Sequence, residues 1–142
     1  MRTIHTLVLV AGAALGAACM HHMRVDDAIA ELQDPSPEQR QIAADSLRTK
    51  EGVPANAVGP LLAREQQETD AHAKAAMLIT LGKSGSPNAK APIDDYVQKA
   101  QSEEERRWAG RALKYWLIET GALPHGYIFP KGWPYGQPGY PP

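Results

Sequence analysis

From Val25 to Ala122 apolar residues recur at spacings of three and four: Ile29-Leu32, Ile42-Ala43-Leu47, Val58-Leu61-Leu62, Leu78-Leu81 and Ala109-Leu113-Trp116-Leu117. That period marks one face of an α-helix. There are no convincing alternating runs of β-branched residues, so the pattern predicts helices and no sheet. The breaks are equally well signed. Ser36-Pro37-Glu38-Gln39 places a serine N-cap before a proline at the first helical position and a glutamine at the third. Ser86-Pro87 repeats the cap-plus-proline signal, and Ser102-Glu103-Glu104-Glu105 is a full capping box with acids where the helix dipole favours them. Gly52, Gly82 and Gly121 stand where helices are expected to stop.

The helical stretch also repeats. Arg40-x-x-Ala43-Ala44-x-x-Leu47 has a counterpart at Lys74-x-x-Met77-Leu78-x-x-Leu81, and again at Arg106-x-x-Ala109-Gly110-x-x-Leu113. The basic residues lie 34 and then 32 positions apart. Each motif falls on the second helix of a helix-turn-helix pair. Small residues allow neighbouring helices to approach, leucine fills the core, and the basic residue is expected to cap or bridge units. One hairpin cannot bury its apolar face alone, so three should stack into a continuous core.

This pattern resembles the HEAT-like repeat family. The residues carrying the resemblance are Leu32-Gln33-Asp34-Pro35 before Arg40-Gln41-Ile42-Ala43-Ala44, and Lys74 with Leu81-Gly82. The resemblance implies an all-α fold: a short α-solenoid of about three HEAT-like helical hairpins over residues 25–123, with protein-binding surfaces and no catalytic residues.

Ahead of the repeats, Leu7 to Ala18 is a run of twelve apolar or small residues without a charge. A membrane-crossing helix needs about 20, whereas this length suits the apolar core of a secretory signal closed by small residues. Residues 1–18 are therefore expected to be a signal peptide. Ala17-Ala18-Cys19 resembles the lipobox of bacterial lipoproteins, in which the cysteine becomes the lipidated N-terminus. Gly16 takes the position usually held by leucine, with Leu15 one residue earlier. Ordinary cleavage after Ala18 is the alternative. The resemblance implies acylation of Cys19, a tether over residues 19–24, and a place in the bacterial cell envelope. Met20 stands where an aspartate is associated with inner-membrane retention, which points to the outer membrane, facing the periplasm.

Charge and candidate chemistry narrow the function. The formal net charge is −1 and the charges are interspersed along the chain, so a nucleic-acid partner is not expected. A single cysteine excludes an internal disulfide framework. Met20, His21, His22 and Met23 could hold copper through thioether and imidazole groups, which keeps a metal-handling protein as an alternative. A small exported enzyme is a third reading, but no site supports it. His72 follows Glu68 by four residues and reads as an i,i+4 pair at a helix start, and Asp94-Asp95 diverge on a helix. There is no nucleophile elbow and no phosphate loop. No cofactor is expected.

The aromatic residues bear on binding. Five of the nine fall in the last 19 residues, a tail (124–142) with six prolines and four glycines. That composition forbids a helix or an inner strand. Residues 124–130 are expected to fold back over the last hairpin, with 131–142 looser. The candidate protein-binding residues are Trp108, Tyr115 and Trp116 on the last helix and Tyr127, Phe129 and Trp133 in the tail.

Overall fold

A computed structural model describes residues 23–142. The helices run α1 (Val25–Glu31), α2 (Pro37–Ser46), α3 (Ala55–Glu65), α4 (Ala71–Ser84), α5 (Lys90–Lys99, led in by a 3-10 turn at Pro87–Ala89) and α6 (Glu103–Glu119). Among the described residues there is no strand, only an isolated bridge between Thr49 and Gly52. Consecutive helices pair as α1/α2, α3/α4 and α5/α6. The second helices line up as one layer, α2–α4–α6, and α1 touches α3 on the other side. This is a short helical solenoid.

Two of the three signalled caps form, while Ser86 leads only the 3-10 turn and its side chain makes no cap hydrogen bond. Ser36 Oγ accepts from the Gln39 amide at 3.4 Å, and Ser102 and Glu105 complete a reciprocal capping box. The backbone N–H groups of Ser102 and Gln101 hold the Glu105 carboxyl below its ordinary range. Helix α4 sits at the centre. It packs on α2, α3, α5 and α6, and every residue from Ala73 to Gly82 except Lys74 is buried. A helix apolar on all sides belongs in such a position. Leu32, Leu47, Leu61, Met77, Leu78, Leu81, Ile93 and Leu113 are fully buried and form the continuous core expected of stacked hairpins.

Two expectations are corrected. Gly82 does not end its helix: α4 runs on to Ser84, and Gly85 takes the left-handed turn at φ 63°. Gly82 is instead a point of close approach, because a Cβ there would lie 2.2 Å from the Ala112 carbonyl oxygen of α6. Nor do Glu68 and His72 form a helical pair. Asp70 is the N-cap of α4, accepting from the amides of His72 (3.0 Å) and Ala73 (2.9 Å). Glu68 thus lies before the helix and turns inward, while the His72 ring packs edge-on against Trp108 at 5.0 Å.

No described helix is long and apolar enough to cross a membrane. The signal segment, Cys19, Met20, His21 and His22 lie outside the described residues. Met23 packs half-buried against the core. Among the described residues no group of three His, Cys, Asp or Glu side chains is placed to hold a metal.

Candidate protein-binding groove

The three repeated basic residues show how the two ends of the array differ. Arg40 on α2 is buried. Its Nε and Nη2 donate to the Glu68 carboxylate at 2.6 and 2.9 Å, a two-pronged pair with side-chain exposures of 8% and 0%. Its Nη1 donates to the carbonyls of Asp34 and Pro35 at 2.7 and 3.0 Å. Arg40 therefore ties the end of α1 to the loop before α4, which is the bridging role expected of it. Arg40's hydrogen bonds bring the Glu68 carboxyl down to about 2, with help from the Asp70 amide and Arg64, against the opposing pull of burial. Lys74, the equivalent residue of the second unit, turns back to Glu65 at 3.2 Å. Arg106, in the third unit, is followed among the described residues by the tail and not by a stacked hairpin. It stacks its guanidinium 5.0 Å from the Tyr135 ring and donates to the Pro142 carbonyl at 3.1 Å.

The tail fills the place of a fourth hairpin, and its docking is the reverse of that expected. Tyr127 is exposed and Ile128 is 89% exposed, whereas Trp133, Tyr135 and Tyr140 pack against the core and Pro134 is fully buried. Gly110 makes this possible: a Cβ there would meet the Trp133 carbonyl oxygen at 3.1 Å and Pro134 Cδ at 3.3 Å. Gln98 on α5 fastens the end of the tail by donating to the Gly139 carbonyl at 3.1 Å. Burial pushes the phenols of Tyr135, Tyr140 and Tyr96 upward.

Between α6 and this docked tail runs an open groove of about 950 Å³. Phe129, Trp133 and Tyr135 supply its aromatic lining, with bare backbone at Gly110, Gly132 and Gly136. Phe129 stands edge-on to Trp133 at 4.5 Å and to Tyr127 at 4.9 Å, and the Lys114 ammonium lies 4.8 Å from the Phe129 ring centre. The rim is cationic: Arg106, Arg107, Arg111, Lys114 and Lys131 face a single carboxylate, Glu103. A second, smaller hollow between α3 and α5 is lined by Glu65, Lys74 and Asp95 together with apolar and amide side chains, so its charge is largely compensated.

The six sequence-predicted binding residues separate. Phe129 and Trp133 line the groove, with Tyr127 at its edge. Trp108 turns to His72. Tyr115 lies between Lys83 and Arg111, 5.5 and 5.7 Å from its ring centre. Arg111 donates to the Tyr115 hydroxyl at 3.4 Å and, with Arg48 and Lys83, draws the phenol below its ordinary range. Trp116 points the other way and donates to the Ser86 carbonyl at 2.9 Å. The structure adds the five rim cations, which a reading of charge along the chain assigns to a solvated surface. Their signal is the spacing Arg107-x-x-x-Arg111-x-x-Lys114, one stripe of α6.

The stacked hairpins define a helical-repeat protein. The family model of HEAT repeats matches residues 25–114, more than half of the chain, and the chain belongs to that family. No curated protein and no solved structure gives a significant match. HEAT repeats generally mediate protein–protein interaction or scaffolding, and proteins built from them are typically not enzymes.

Proposed function

We propose that this chain is an exported helical-repeat protein, lipid-anchored through Cys19 at the periplasmic face of the outer membrane, that binds another protein through the α6–tail end of its array. The observation that carries the binding reading is the groove: concave, aromatic on its floor, cationic on its rim, and built where a further hairpin would otherwise stack. The apolar run Leu7 to Ala18 and the Ala17-Ala18-Cys19 sequence support export and anchoring. Acylation would make stable anchoring available, since each buried CH₂ contributes about 0.8 kcal/mol and more than one chain is needed. The anchor then fixes location and the array presents the surface.

Mass spectrometry of the mature N-terminus tests the anchor: an acylated Cys19 is expected, and an unmodified soluble protein overturns that half. A photo-crosslinking residue at Lys131, introduced in exporting bacterial cells, tests the binding half. A discrete adduct is expected, whose partner rebinds the purified protein. Absence of any adduct at Lys131 and at Lys114 contradicts it.

A further inference from the structure

We propose that the α6–tail groove takes an acidic polypeptide segment, one in which Asp or Glu carboxylates flank an apolar side chain. This rests on the protein-binding reading and names the chemistry of the partner.

The first argument is charge. Arg40, Arg48, Arg64, Lys74, Lys83, Lys90 and Lys99 each pair with a carboxylate. Among the described residues none of the five groove cations pairs with an Asp or Glu side chain. Arg107 and Arg111 are four apart on one helical stripe, an arrangement that destabilises a helix when the charges are alike. An anionic ligand removes that repulsion, and guanidinium groups grip carboxylates through paired hydrogen bonds. The second argument is the floor. Phe129 and Trp133 offer an apolar seat between the charges, beside the bare backbone of Gly132 and Gly136. Rim and floor together ask for alternating acidic and apolar groups along an extended chain.

Other occupants fit less well. Residues 1–22 contain no Asp or Glu, so the chain's own N-terminal segment lacks the needed charge. A lipid surface suits a convex basic face rather than a recessed groove.

The test uses the protein purified from an exporting bacterial host in nonionic detergent, with fluorescence anisotropy of two labelled peptides. These are Asp-Glu-Phe-Asp-Glu-Leu-Asp and its neutral analogue Asn-Gln-Phe-Asn-Gln-Leu-Asn. The acidic peptide should bind at least about tenfold more tightly, and binding should weaken with salt. The combined variant Arg107→Glu/Arg111→Glu/Lys131→Glu should lose about tenfold or more. Arg24→Glu/Lys50→Glu, which reverses unpaired cations elsewhere, should stay within about twofold. Thermal melts of both variants establish that the fold is kept, and the milder Arg107→Gln/Lys131→Gln serves if the triple variant unfolds. Equal binding of the two peptides, or of neither, overturns the proposal, as does acidic-peptide binding that survives charge reversal. So does tighter binding to phosphatidylglycerol vesicles or to a single-stranded oligonucleotide, or head-to-tail self-association that the variant abolishes. If the Lys131 crosslink captures a segment without acidic residues, protein binding stands and this proposal falls.

Discussion

Arg40 in the first hairpin and Arg106 in the last occupy the same place in the repeat, yet their surroundings differ in kind. Arg40 is sealed against Glu68 and two backbone carbonyls, with another unit stacked over it. Arg106 meets the Tyr135 ring and the Pro142 carbonyl at the edge of an open groove. A repeat position that is sealed by a stacked unit in the first hairpin borders an open groove beside the docked tail in the third. Charge that the interior must neutralise can remain uncompensated at the end, because water screens it there.

The sharpest way to break this comparison is to truncate both arginines. Arg40→Ala leaves a buried carboxylate without its partner and should cost about 3–5 kcal/mol. Arg106→Ala loses one hydrogen bond and a stacking contact, about 1 kcal/mol or less. Urea unfolding measures both, and equal losses would erase the distinction between the two ends.

Acid titration follows in size. The Glu68 carboxyl titrates near 2 in the fold against 4.5 for an ordinary glutamate. Its folded value is the lower one, so its contribution is complete above about pH 5 and disappears as the pH falls toward 2. Glu68→Gln should therefore cost about 3 kcal/mol at pH 7, and the gap from the wild type should narrow through that acid window. A gap independent of pH would mean that the carboxylate is not held by Arg40.

Two glycines sharpen the contrast further. At Gly82 a methyl group would run into the Ala112 carbonyl, so Gly82→Ala should push α4 from α6 and cost about 2 kcal/mol. At Gly110 the obstruction is the docked tail, 3.1 Å away. Gly110→Ala should cost under about 1 kcal/mol of global stability, while loosening Trp133 and shifting its fluorescence to the red. A large global loss at Gly110 would make the tail part of the core.

The local features of the fold were legible in the sequence. Ser36, Ser102 and Glu105 cap where their spacing says they should, and the three basic positions mark three second helices. Features decided by distant partners were not. Glu68 finds Arg40 from 28 residues away, and nothing in its neighbourhood announces that. Gly82 reads as a stop because the contact that requires it comes from α6. Tail docking turns on Gly110 presenting bare backbone to Trp133, so the aromatic-rich stretch 127–129 was no guide. Four of the groove cations already lie on α6, three of them on one stripe, and only Lys131 joins them once the tail is docked.

The most direct measurement is hydrogen exchange of the purified protein with and without the acidic peptide Asp-Glu-Phe-Asp-Glu-Leu-Asp at saturating concentration. Protection is expected in the first half of α6 and across residues 129–136, with α1, α2 and α3 unchanged. Protection centred on α1 and α2, or none anywhere, would contradict the claim that the end of the array is where this protein binds.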